Sequence, residues 1–167
     1  MRRFAPIFLV LFLLLLLPVL RPAREPIPDS EIAQVSRALG VGVSAGTVVS
    51  CFDSHGGFHG DGLTFIEIAF PDDGFGGIVR GQWRALPLSG NLQALVYGVS
   101  GVGPYITRDG IACFPRVQNG YYYFEDRQAE GTDPRSDFAL FRRASYNVTV
   151  AIYDTDARTL YYCAFDT

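Results

Sequence analysis

The residues best suited to chemistry lie together in Asp53-Ser54-His55-Gly56-Gly57-Phe58-His59-Gly60-Asp61-Gly62, which holds both histidines of the chain, two aspartates and four glycines. Asp53-x-His55 and His59-x-Asp61 each set a carboxylate beside an imidazole, the pairing that orients a general base. Two imidazoles with Asp53 or Asp61 would also suit zinc, nickel or copper. In extended geometry, however, His55 and His59 stand about 13 Å apart. They converge only if the chain folds back at Gly56-Gly57. Calcium loops use more carboxylates than are present here. Cys51, Asp53 and His55 share one strand face, but side chains at i and i+2 run parallel at about 7 Å. A catalytic triad would therefore need a partner from elsewhere in the chain. The sequence contains no GxSxG, HExxH or GxxxxGK[ST] motif. It contains no lysine either, which removes P-loop and Schiff-base chemistry. The plain alternative is a tight glycine connection with Phe58 turned into the core and the histidines at its rim.

These residues need elements to position them. Val41 to Phe52 is rich in valine, threonine and serine and reads as a strand entering the loop. Leu63 to Phe70 is the clearest strand. Leu63, Phe65, Glu67 and Ala69 share one face, and Thr64, Ile66, Ile68 and Phe70 the other. Both faces are largely apolar, as in a central strand. The loop is thus expected to link two strands as a wide hairpin. Before it, Asp29 or Ser30 can cap a short helix whose Ile32, Val35 and Leu39 fall on one face, with Gly40 to end it.

After Pro71-Asp72-Asp73-Gly74, the stretch from Phe75 to Trp83 has helical spacing weakened by Gly76, Gly77 and Gly81. Ala85 to Leu88 reads as an extended linker. Ser89 can cap a helix from Asn91 to Tyr97, with Leu92, Leu95 and Val96 inward. Short strands are expected near Pro104 to Ile106 and Ile111 to Phe114, and a longer one at Tyr121 to Phe124. Glu125 to Ser136 is a polar loop. Tyr146 to Tyr153 and Thr159 to Phe165 form the best hairpin. The aromatic runs Tyr121 to Phe124 and Tyr161-Tyr162 suit either cross-strand packing or a face that binds sugar or peptide. The fold class is therefore α+β: an antiparallel sheet of about five strands with two or three short helices, preceded by an N-terminal hydrophobic helix. The absence of regular helical crossovers argues against a doubly wound sheet.

That N-terminal helix follows from Met1-Arg2-Arg3 and the seventeen positions Phe4 to Leu20, none of which has a polar side chain. Such a run is at the short end of what spans a bilayer. Pro18-Val19-Leu20-Arg21-Pro22-Ala23 offers no small-x-small cleavage site, because Arg21 takes the −3 position, and no cysteine follows for lipidation. An uncleaved signal anchor over residues 1–24 fits better than a signal peptide. Arg2, Arg3 and the α-amino group place that end in the cytoplasm and a single 25–167 domain on the extracytoplasmic side of a single-pass protein. Pro22 to Pro28 is then a short, stiff spacer.

Residues 22–167 carry eleven arginines against seventeen acids, with no basic run. This excludes nucleic acid as a partner, since phosphate neutralisation supplies much of that affinity. Cys51, Cys113 and Cys163 have no metal-ligand spacing; two could pair in an oxidising compartment, or all three could stay reduced.

The loop from Asp53 to Gly62 is followed by Trp83-x-x-Leu86-Pro87-Leu88, Asn91-Leu92-Gln93-x-Leu95 and Tyr97-Gly98. The chain closes on Val150-Ala151-Ile152-Tyr153-Asp154-Thr155 and Leu160-Tyr161-Tyr162-x-x-x-Asp166-Thr167. From about Cys51 to Thr167 this pattern resembles a group of small, uncharacterised bacterial proteins with N-terminal membrane segments. The resemblance implies a membrane-associated or exported protein and transfers no catalytic residue. Together these readings favour a membrane-anchored binding module at the cell envelope, partnered by an envelope protein or glycan and needing no cofactor. The alternative is a metal-dependent hydrolase using Asp53, His55, His59 and Asp61 with a transition metal.

Overall fold

The computed structural model describes residues 30–56 and 60–167. The hydrophobic helix expected at Phe4 to Leu20, the proline spacer, Asp29, Phe58 and His59 lie outside the described residues. Among those described, no helix is long and apolar enough to cross a membrane.

The architecture is α+β, built on one antiparallel sheet. Helix α1 spans Ser30–Leu39, followed by β1 (Thr47–Asp53), β2 (Gly62–Ala69), α2 (Gly74–Val79), β3 (Arg84–Ala85) and α3 (Gly90–Tyr97). Then come β4 (Thr107–Arg108), β5 (Ile111–Ala112), β6 (Gly120–Asp126), a 3-10 turn at Leu140–Arg142, β7 (Asn147–Asp154) and β8 (Thr159–Asp166). The main sheet runs β1-β2-β8-β7-β6-β3, and β4-β5 form a separate ribbon. The sixth strand is β3, where the sequence suggested a linker. Arg84 and Ala85 pair with Tyr122 and Tyr121 at the sheet margin, a two-residue contact too short to leave a periodic signal.

Both faces of the sheet are covered. On one, Ile66, Ile68, Ala151, Tyr153 and Leu160 pack under α1 and α2 through Val35, Leu39, Phe75 and Val79. On the other, Phe65, Val148, Val150, Ile152 and Cys163 pack under α3 through Leu92, Leu95 and Val96, with Ile106, Phe114 and Leu140. This explains why β2 is apolar on both sides: it lies between β1 and β8, with helices above and below. The aromatic runs fall into the same packing. Tyr122, Tyr123, Phe124 and Tyr162 are buried in the core, while Tyr121 and Tyr161 are half-buried against it.

Helix α2 forms despite its glycines, and one of them has a steric reason. A Cβ on Gly76 would lie 2.2 Å from Asp73 Oδ1 and 3.0 Å from the Tyr153 ring. Glycine lets the helix settle directly on Tyr153, whose hydroxyl donates to Asp73 Oδ1 at 3.1 Å. Helix α3 begins as expected, with the Ser89 hydroxyl accepting from Leu92 N at 3.2 Å.

Candidate functional site

β1 and β2 pair antiparallel, Asp53 opposite Thr64, so the histidine loop closes a hairpin. Asp53 is the last residue of β1 and accepts from the His55 backbone N–H at 2.8 Å, which turns the chain back over the sheet. The imidazole lies flat against the start of β2. A Cβ on Gly62 would come within 2.8 Å of His55 Cα, Cγ and Cδ2, so the ring occupies the place a side chain would take.

In that position His55 is held at both ring nitrogens. Nδ1 is 2.8 Å from Asp53 Oδ1 and 3.1 Å from Thr64 Oγ1. Nε2 is 3.1 Å from Asp166 Oδ2. Asp166 ends β8, in register with Gly62 on one side and Asn147 on the other. Its second oxygen accepts from Arg127 Nη2 at 2.7 Å, and the same nitrogen donates to Val148 O at 3.1 Å. The result is a row across one end of the sheet, Asp53–His55–Asp166–Arg127, tying β1 to β8 and to the segment after β6. A carboxylate thus faces each ring nitrogen, and Thr64 Oγ1 shares Nδ1 with Asp53. The Asp53 carboxyl is lowered from the ordinary aspartate range, mainly by the backbone N–H of His55 and further by its ring, against a smaller opposing effect of burial.

This geometry limits the chemistry. A general base or metal ligand needs a ring nitrogen with a free lone pair facing a substrate or ion. Asp53 and Asp166 occupy both nitrogens, and only 22% of the His55 side chain is exposed. Ser54 is spent locally, its hydroxyl accepting from Leu63 N at 2.9 Å and contacting Leu63 O at 3.3 Å. Thr64 reaches the imidazole but is itself buried.

Of the four residues singled out from the sequence, Asp53 and His55 are brought together. Asp61 is exposed and lines, with Gly60, Asn147, Asp166 and Thr167, an open depression of about 500 Å3 beside the row. His59 lies outside the described residues. Among the described residues, no three His, Cys, Asp or Glu side chains gather in a way that could hold a metal ion. Asp166, Arg127 and Thr64 were missed by the sequence. Asp166 is 111 residues from His55 and is found only once β2 is known to pair with β8.

A second surface lies at the other side of the hairpin. β1 is an edge strand, and its Val49 is 61% exposed. Beside it, Phe52 and Phe65 line a groove of about 310 Å3 closed by Arg108, Ile111 and Cys113 of the β4-β5 region. The Arg108 guanidinium stacks 4.3 Å above the Phe52 ring, and Ile111 is 73% exposed. The three cysteines are free; Cys51 is exposed on β1 and Cys163 is buried in the sheet.

No protein-family model, curated protein or solved structure matches this chain.

Proposed function

We propose that the chain is an interaction module held at a membrane by Phe4 to Leu20, with its domain on the extracytoplasmic side, and that it works by binding and not by catalysis. The observation that carries this reading is the double engagement of His55. The side chain best suited to acid–base work is built into a clip that fastens the β1-β2 loop to Asp166. The groove beside β1 supports the same reading. It combines exposed apolar surface at Ile111 with a stacked guanidinium at Arg108, a mixture common at protein and glycan contacts. The partner on this reading is an envelope protein or glycan. The likeness to small bacterial proteins with N-terminal membrane segments agrees with the location.

Capture from envelope fractions with the full chain in mild detergent tests the proposal, with Ile111→Arg beside wild type. A component held by wild type and lost from the variant is the expected result. Equal capture by both, or none by either, would overturn it. One contact favours the alternative of a metal-dependent hydrolase at Asp53, His55, His59 and Asp61: the Asp53–His55 pairing at 2.8 Å. Elemental analysis of wild type against His55→Ala/His59→Ala separates the two readings. A stoichiometric transition metal lost in the double variant would favour the hydrolase.

A further inference from the structure

β1 is the edge strand of the main sheet among the described residues. In an antiparallel ladder, bonded and non-bonded pairs alternate. Ser54 N donates to Leu63 O at 3.0 Å, so Ser54–Leu63 is a bonded pair and Phe52–Phe65 is the next one. Cys51 and Asp53, opposite Ile66 and Thr64, therefore turn their N–H and C=O groups away from β2. Among the described residues no strand lies on that side. Edge strands are ordinarily guarded by charged side chains, proline or β-bulges. β1 has a bulge between Val48 and Ser50 and one charge, Asp53, at its end, and the stretch Ser50 to Phe52 between them carries no such guard.

We propose that two copies of this chain pair through β1, antiparallel about a two-fold axis at Phe52, so that their sheets join into one. In this register the free groups of Cys51 meet those of Asp53 from the second copy, and the exchange repeats across the axis. Asp53 thus faces a neutral residue, never its own copy. Phe52 opposes itself at a non-bonded position, where facing side chains come closest and aromatic pairs contribute most. The groove lined by Phe52 and Phe65 then runs on into its copy.

The N-terminal segment argues for a second copy over an unrelated strand. An edge-to-edge antiparallel join has its two-fold perpendicular to the sheet, so both copies present the same face on the same side. That face carries α1. α1 lies against β1. The 29 residues before Ser30 would therefore leave both copies from one side of the joined sheet, as two anchors in one bilayer require. This last step rests on the anchor reading above; the strand pairing does not.

The test is light scattering of the full chain in detergent, wild type beside Cys51→Pro, which removes an outward donor and leaves the β1-β2 bonds in place. The expected result is a dimer mass in wild type and a monomer mass in the variant. Because proline could disturb the strand itself, cysteine cross-linking gives an independent reading. In a Cys51→Ser background, Phe52→Cys should form a disulfide-linked dimer on mild oxidation and Thr47→Cys should not. A monomeric wild type, or equal cross-linking at both positions, would overturn the proposal. Carbonate extraction reads the anchor separately. A β1 dimer that washes off membranes upholds the interface without the anchor, and an anchored monomer refutes the interface alone.

Discussion

At Asp166, a single carboxylate near the C-terminus serves two elements at once, taking His55 on one oxygen and Arg127 on the other. Its removal leaves a ring nitrogen and a guanidinium short of an acceptor. Asp166→Asn should cost about 1.5–3 kcal/mol, the range for hydrogen bonds to charged groups, read by urea unfolding near neutral pH. Asp53 adds a pH dependence with a definite sign. Its folded-state value lies below its unfolded one, so its contribution is fully present above the ordinary aspartate range. That contribution is lost as pH falls through the folded value. Asp53→Asn should flatten the acid limb of the stability curve. An acid limb as steep in the variant as in wild type would mean that Asp53 is not tied to His55. The Asp53-x-His55 half of this row was legible in the sequence because it is local. Asp166 and Arg127 were not, because only strand register brings them near.

At the scale of the element, the glycines of α2 separate two roles that composition cannot distinguish. Gly76 sits against Asp73 and Tyr153, whereas a Cβ on Gly77 would meet nothing within 4 Å. Gly77→Ala should stabilise the protein by about 0.5–1 kcal/mol through helix propensity alone. Gly76→Ala gains the same propensity but pushes into a buried ring and its hydroxyl's acceptor. It should be net destabilising by about 1–3 kcal/mol, as overpacking usually is. Thermal unfolding of the two variants side by side checks the pair, and matching shifts would refute the packing account. Sequence alone reads both glycines as helix-weakening. The difference lies in what α2 rests on, and that surface belongs to β7.

For the whole molecule, the sheet between two helical layers buries tyrosines that must stay neutral. Burial, aided by Asp73, pushes the Tyr153 hydroxyl up to about 12, and burial pushes Tyr162 to about 12. A folded value above the unfolded one means stability is intact below about pH 10 and lost as pH rises towards 12. Alkaline unfolding should therefore be cooperative in that interval, with tyrosinate absorbance and loss of far-ultraviolet signal rising together. Early tyrosinate formation with the fold intact would show that these two hydroxyls are reachable by solvent. Tyr123 shares this behaviour: burial and the bond it donates to Glu125 raise it strongly.

By itself the sequence determined the α+β class, α1 and α3, the β7-β8 hairpin and the two-sided burial of β2. These follow from apolar periodicity, caps and turns within a few residues, where side-chain spacing and backbone preference act directly. Only the tertiary structure decided that helices cover both faces, that β3 makes a sixth strand and that Tyr122, Tyr123, Phe124 and Tyr162 are core. It alone made His55 a clip closed by Asp166, and β1 the edge strand among the described residues. Each of these depends on which strand lies beside which, a choice made by burying apolar faces against one another over the whole chain. No local stretch carries that information.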